Sequence, residues 1–422
     1  MTQDSASISR PAITKLLIGA VVMLGLLGLF VALAGNASAG GGTKVTVNTT
    51  ANIDDGECEG APNDDEIGNC SFREAINLVN NGDADIINFH KPVFSKEQPG
   101  VINLCDDDGG ELPFFTREVV IDSKNSGVIL DGGGKDDDCS DAGDNGLVAD
   151  VQSNGYDFEL NGGKNFTIRN FDQNGIEIWA KEESLGTIVI TGIDIENVDF
   201  EGIQIRGTNL ESLSITNSEI ESTDMHGIEV FIDACDDADL DCKLSDSAVD
   251  ISDNRVSAGV SGETIDADGV NLLYHGRINS STKITLGVTQ NEVINADTSG
   301  VDITFNGCGS GGFNVHVDEN EDINGQNADG VRINIRASLT CVKVEPGGAL
   351  AGIQVEPGNT SDGLEVVVTV NGNGDIENHC CAPENDNGVE IDINIGFEES
   401  DSSATVEVND NGRITGEEAG VD

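Results

Sequence analysis

A four-residue phrase, glycine–apolar–polar–apolar, recurs along the second half of the chain. It reads Gly175-Ile176-Glu177-Ile178, Gly202-Ile203-Gln204-Ile205, Gly227-Ile228-Glu229-Val230 and Gly269-Val270-Asn271-Leu272. It continues as Gly300-Val301-Asp302-Ile303, Gly330-Val331-Arg332-Ile333, Gly352-Ile353-Gln354-Val355 and Gly388-Val389-Glu390-Ile391, and Gly420-Val421-Asp422 opens one more. Successive copies lie about 31 residues apart on average. Between them runs a second phrase, an alternating stretch that closes on asparagine, as in Leu213 to Asn217, Val249 to Asn254, Val315 to Asn320, Val368 to Asn373 and Val406 to Asn411. An apolar period of two means strands. A repeat of 20 to 50 residues means a solenoid or an array. The leucine-rich frame and the aromatic signatures of propeller blades are both missing, which leaves an all-β solenoid, a parallel β-helix with each step one coil.

Stacking supplies the energy, because one coil cannot bury its own apolar face. The pattern predicts that Ile176 and Ile178 meet Ile203 and Ile205 of the next coil, with Ile228, Val230, Val270, Leu272, Val301, Ile303, Val331 and Ile333 continuing both ladders. Glycine before each strand is expected to supply a corner that other residues resist. The asparagines are expected to form an internal ladder whose amides satisfy the backbone at a bend. The polar positions Glu177, Gln204, Glu229, Asn271, Asp302, Arg332, Gln354 and Glu390 form an outward row, read as a solvated face with Trp179 and Tyr274 as the aromatics near it.

Residues 44–90 have a different pattern. Ser71-x-x-Glu74 is a capping box that opens a short helix closed by Asn80-Asn81-Gly82, and Ile86 to Phe89 reads as an inward strand. A helix there would cover the open edge of the first coil. Upstream, Leu16 to Ala34 is an unbroken apolar run behind Arg10 and Lys15, followed by Ala37-Ser38-Ala39. This reads as a signal peptide over 1–39, cleaved after Ala39. The run is also long enough to span a bilayer, so an uncleaved anchor stays open. The expected organisation is therefore 1–39 signal peptide, 40–100 N-terminal cap and first coil, and 101–422 β-helix. Glu417 to Asp422 looks like the start of another repeat, so two alternatives stay open, a chain truncated at its C-terminus and an exposed last coil.

Composition narrows the function. The 422 residues hold 77 Asp plus Glu against 21 Lys plus Arg, a net charge of −56. Nucleic acid is excluded as a partner because phosphate binding needs a basic footprint, and an anionic membrane surface is disfavoured for the same reason. Hydrophobic residues at 37% suffice for a core, so the chain is not a disordered acidic one. Such a surface suits high salt or an ordinary extracellular setting. Ten cysteines in an exported chain favour disulfides over zinc, for which no Cys-x-x-Cys pair is present. Local spacing pairs Cys58 with Cys70 and Cys235 with Cys242. Cys308 and Cys341 sit at similar offsets in adjacent repeats, Cys105 pairs with Cys139 by elimination, and partners for Cys380 and Cys381 stay open.

Residues 44–90 resemble the CSLREA domain, through Cys70-Ser71-Phe72-Arg73-Glu74-Ala75, with Phe72 in place of leucine, an upstream Asp54-Asp55-Gly56-x-Cys58 and a downstream Asp85-x-Ile87-x-Phe89. The resemblance covers about 45 residues. It implies an exported protein whose capping segment precedes a right-handed, single-stranded parallel β-helix with pectate-lyase-like coils. Many such proteins are adhesin-like, and no catalytic residue comes with the motif.

The chemistry-bearing residues do not assemble into a catalytic set. Met225-His226-Gly227 and Asp236-Asp237 occur in the wrong order for a polygalacturonase-like hydrolase, and His226 reads as a corner residue. Arg206, Arg332 and Arg336 lie on strands, but none is marked as a lyase base. Gly307 to Gly312 fits G-x-G-x-x-G by letter but precedes a strand, which rejects a nucleotide site. Asp-rich loops suit Ca²⁺, with Asp136, Asp138, Asp141 and Asp144 as candidate ligands, although none matches an EF-hand. The expectation is a secreted or cell-surface β-helix, adhesin-like or structural, whose partner is a polysaccharide or cell-surface ligand. The rival is a polysaccharide lyase or glycoside hydrolase working in a groove beside one sheet.

Overall fold

Strict alternation of buried and outward positions turns every repeat phrase into a strand, and neighbouring phrases pair in parallel register. The computed structural model describes residues 42–56, 58, 69–104, 110–133, 144–222, 224–235, 242–259, 267–326, 328–338, 340–343, 354–357, 364–378, 387–396, 402–415 and 419–421. Lys44 to Asp422 belong to one unit. The segment read as a signal peptide lies outside the described residues, and among those described no helix is long and apolar enough to cross a membrane.

The chain opens with β1 (Lys44–Val47), α1 (Phe72–Asn81), β2 (Ile86–Phe89), β3 (Gly100–Asn103), β4 (Val119–Asp122) and β5 (Val128–Asp131). Then come β6 (Leu147–Asp150), β7 (Tyr156–Phe171), β8 (Ile176–Trp179) and β9 (Ser184–Val198). Regular three-strand coils follow: β10 (Ile203–Gly207), β11 (Asn209–Thr216), β12 (Glu219–Ser222); β13 (Ile228–Asp233), β14 (Ser247–Ser252), β15 (Arg255–Ser257); β16 (Val270–Ile278), β17 (Lys283–Thr289), β18 (Val293–Ala296); and β19 (Val301–Gly309), β20 (Gly311–Asp318), β21 (Asp322–Gly325). After β22 (Val331–Ser338) come β23 (Thr340–Lys343), β24 (Gln354–Pro357), β25 (Leu364–Asn371) and β26 (Ile376–Asn378). The last strands are β27 (Asn387–Gly396), β28 (Ser403–Asn409), β29 (Ile414–Thr415) and β30 (Ala419–Val421). The first strand of each coil enters a nine-stranded sheet, β6-β8-β10-β13-β16-β19-β22-β27-β30, and the other two faces form a nineteen-stranded one. This is a parallel β-helix.

The two inward ladders hold as expected. Ile176, Ile203, Ile228, Val270, Val301 and Val331 stack in one, and Ile178, Ile205, Val230, Leu272, Ile303 and Ile333 in the other, all fully buried. Each such side chain contributes roughly 1.5–3 kcal/mol of transfer free energy. α1 carries the capping box, with the Ser71 hydroxyl accepting from the Glu74 N–H and the Glu74 carboxylate accepting from the Ser71 N–H, and it ends at Gly82 with φ +80°. Phe72, Ala75, Ile76 and Val79 are its buried face, and the Phe72 ring lies 5.5 Å from that of Phe89 on β2.

Three expectations change. The Gly352 phrase is not a coil, because β24 pairs antiparallel with β23 while β22 pairs directly with β27. Gln354 therefore leaves the outward row, and Gly175 to Gly420 comprises seven steps. The repeat glycines are not conformational corners, since none from Gly175 to Gly300 has positive φ. They are close approaches: a Cβ on Gly269 would lie 2.6 Å from the Gly300 carbonyl oxygen and 2.5 Å from Ile294 Cγ2. Asn217 takes the left-handed position, φ +54°, and Ser218 occupies the ladder site behind it.

The ladder itself is continuous. Asn254, Asn291, Asn320, Asn373 and Asn411 each accept, through Oδ1, the backbone N–H of the preceding rung at 2.9–3.0 Å. Their amides donate to the carbonyls of Ile215, Ile251, Val288, Val317 and Val370. The Oδ1 and Nδ2 of every rung therefore have backbone partners on the preceding coil.

Disulfides join Cys58 to Cys70 and Cys235 to Cys242, as the spacing predicts. Cys308 is also disulfide-bonded. The side chain of Cys341, and Cys105, Cys139, Cys380 and Cys381 entirely, lie outside the described residues.

Candidate functional site

Register on the nine-stranded sheet builds a grid of outward side chains. Glu177 on β8, Gln204 on β10 and Glu229 on β13 form one column, and Trp179, Arg206 and Phe231, two residues further along the same strands, form the next. Asn271, Asp302, Arg332 and Glu390 continue the first column. The expected solvated row is instead a packed polar network. Gln204 and Asp302 are only 5% and 6% exposed. Gln204 Nε2 donates to Glu229 Oε2 at 2.9 Å, Arg206 Nη2 donates to the same oxygen at 3.0 Å, and Arg332 Nε donates to Asp302 Oδ2 at 2.9 Å. Long side chains one strand spacing apart cover one another.

Beside this network, Trp179, Lys181, Arg206, Thr208, Phe231 and Asp233 line a cleft. Its volume of about 130 Å³ is well below the roughly 300 Å³ of a site that engulfs a small molecule, so a ligand would lie across it. Trp179 is 45% exposed, with its ring open to solvent at the cleft. The Arg206 guanidinium sits 6.0 Å from the Phe231 ring centroid. Asp233 is fixed by His275 Nδ1 at 3.0 Å and by the Cys235 N–H at 2.8 Å, so the Cys235–Cys242 bridge braces one wall. Tyr274 is not part of the surface. It points inward above Ile232 in the ladder, and its hydroxyl meets Ser247 Oγ at 3.1 Å. Phe231 takes the place expected for it.

Behind the grid runs a second buried polar row, made of the residues that precede the repeat glycines. Asn145 Oδ1 accepts the Asn174 N–H, Asn174 Oδ1 the Glu201 N–H, His226 Nδ1 the Asp268 N–H, and Asp268 Oδ1 the Ser299 N–H, all at 2.9–3.0 Å. His226 is thus a corner residue. Its Nε2 lies 3.2 Å from Asn271 Nδ2. Burial, then the charge of Asp302, pushes the Asp268 carboxyl up to about 7. Burial and Glu229 push Glu201 up to about 7, and burial raises Glu177.

These raised groups fix the sign of the pH dependence. A carboxyl that titrates near 7 when folded and near 3.8 when unfolded gives the native state more bound protons between those values, so stability falls as pH rises through that window. Asp268→Asn removes the ionisation while its side-chain oxygen can still accept the Ser299 N–H. It should raise stability at pH 8 by about 1–3 kcal/mol and change it by less than about 0.5 kcal/mol at pH 4. Denaturant titrations at the two pH values check this, and an equal shift at both would show that folding does not raise the Asp268 carboxyl.

Elsewhere, Thr369 Oγ1 donates to Asp318 Oδ2 at 2.8 Å and lies 2.9 Å from His316 Nδ1. Of the Ca²⁺ candidates, Asp136, Asp138 and Asp141 lie outside the described residues. Asp144 is exposed, and its N–H donates to Glu111 Oε1 at 3.0 Å. Arg336 lies on β22 away from the cleft, in register with Asn306 and Asn394. Comparison with protein-family models, with curated proteins and with solved structures finds no match.

Proposed function

We propose that the chain is a secreted or cell-surface β-helix of the CSLREA kind, adhesin-like, whose cleft binds a saccharide. The observation that carries this reading is the exposed Trp179 set beside Arg206 and Phe231 on three successive coils. Flat aromatic faces next to fixed donors and acceptors suit a sugar ring, with its apolar C–H faces and polar rim. Arg206 is paired with Glu229, and Asp233 lies 3.0 Å from His275 Nδ1. A neutral sugar carries no charge for this surface to oppose, whereas a polyanion would face a chain of charge −56. The export-like N-terminus, the disulfides and the acidic composition support an extracellular setting.

Trp179 is the only tryptophan, so tryptophan fluorescence reports on the cleft directly. Titration with a panel of neutral polysaccharides should shift or quench it. Trp179→Ala, followed by titration calorimetry, should weaken binding at least tenfold, about 1.4 kcal/mol, without moving the unfolding midpoint. Binding retained in full by the variant would remove the cleft as the site.

A second reading, glycoside hydrolysis, rests on Glu177 and Glu229, which share a column two coils apart with Gln204 between them. Burial raises the Glu177 carboxyl, and Arg206 pairs with Glu229. New reducing ends in the same incubations, lost in Glu177→Gln, would establish it.

A further inference from the structure

We infer that the cleft accommodates a flat, two-fold β-1,4-linked polysaccharide lying along the coil stack, one sugar ring per coil. This rests on the saccharide reading above and specifies its ligand. Trp179, Arg206 and Phe231 are direct register partners on β8, β10 and β13, so neighbouring members stand one strand spacing apart, about 4.8 Å. The rise per ring of an extended β-1,4 chain is close to that spacing. Such a chain turns over at each ring, so rings one and three present the same face to the same side. The grid matches this alternation, with an aromatic at the first coil, a guanidinium at the second and an aromatic at the third.

The parallel column reinforces the match. Glu177, Gln204 and Glu229 repeat at the same spacing, two residues back along the same strands. Glu177 and Glu229 set carboxyl groups along one edge of the chain, where equatorial hydroxyls would lie, with Gln204 buried between them. Thr208 and Lys181 line the same cleft. An α-1,4-linked chain curls and a β-1,3-linked chain winds, so neither places successive rings over successive coils.

The test uses Trp179 fluorescence on the intact protein. The probes are β-1,4-linked oligosaccharides of glucose, mannose and N-acetylglucosamine, two to six rings long, with maltohexaose and laminarihexaose as linkage isomers of cellohexaose. The expected result has two parts. At least one β-1,4 series gains tenfold or more in affinity from two rings to three and then levels off, and both linkage isomers bind at least tenfold more weakly. In Phe231→Ala the three-ring sugar should bind no more tightly than the two-ring one. If that variant does not fold, the length series on the unaltered protein still decides. Isomers binding as tightly as the β-1,4 chains, or no gain from the third ring, overturns the inference while saccharide binding stands. No response to any saccharide overturns both.

Discussion

Asn320→Ala is expected to destabilise the β-helix by about 3–5 kcal/mol, which is large for the loss of one polar side chain. Asn320 is 1% exposed. Its Oδ1 accepts both the backbone N–H and the amide of Asn291, and its own amide donates to the Val288 carbonyl and to Asn373 Oδ1. Alanine strands the Asn291 donors and the Val288 acceptor where water does not reach, and each stranded buried group costs about 1–3 kcal/mol. Asn411→Ala at the last rung should cost about 1 kcal/mol, because that site is half-buried and solvent can replace what is lost. Asn320→Asp separates the two roles of the amide. The ionised carboxylate still accepts from Asn291 but faces the Val288 carbonyl and Asn373 Oδ1 with no proton to give. It should be worse than alanine at pH 8 and recover as the pH falls. Midpoints of denaturant unfolding for the three variants check the order. Asn320→Ala within about 0.5 kcal/mol of the parent would mean that strand packing alone holds the bend.

The repeating frame of the fold was legible because the stacked coils impose a short period on the chain. Glycine, two apolar positions and a terminal asparagine recur, and each maps onto a column in space. The errors fall where a phrase is necessary for a coil but not sufficient. Gly352-Ile353-Gln354-Val355 has the right letters, yet no asparagine-closed strand lies between it and the Gly330 copy. That missing second phrase was the available signal that this segment leaves the stack as a hairpin. Asn217 shows a finer limit, since an asparagine and the residue after it can exchange the left-handed site and the ladder site, and only register decides. The cleft was harder still. Trp179 and Phe231 lie 52 positions apart in a chain whose coils differ in length, so their alignment depends on pairings that no local pattern encodes. The same holds for Gln204 and Asp302, whose burial comes from neighbours on other coils rather than from their own strands.

The glycine column invites a sharper substitution. Gly269→Ala is expected to cost several kcal/mol, at or beyond the upper end of the roughly 1–3 kcal/mol typical of overpacking, and Gly287→Ala to be near neutral. Neither glycine has a positive φ, so conformational freedom does not separate them. Space does. The added Cβ at Gly269 would lie 2.5 Å from Ile294 Cγ2 and 2.6 Å from the Gly300 carbonyl oxygen, and that carbonyl is fixed because it accepts the Val270 N–H at 3.0 Å. Moving Gly300 would shift it against Gly330, whose carbonyl stands 2.7 Å from the Cβ position of Gly300, so the strain passes from coil to coil. At Gly287, in the middle of β17, the nearest atom is the Val249 carbonyl oxygen at 3.3 Å, and alanine there also restricts the unfolded chain, worth about 0.4–1 kcal/mol. Thermal unfolding of the two variants side by side tests the argument. Equal losses would place the cost in glycine's backbone freedom, and a large loss confined to Gly269→Ala would place it in the close approach of neighbouring coils.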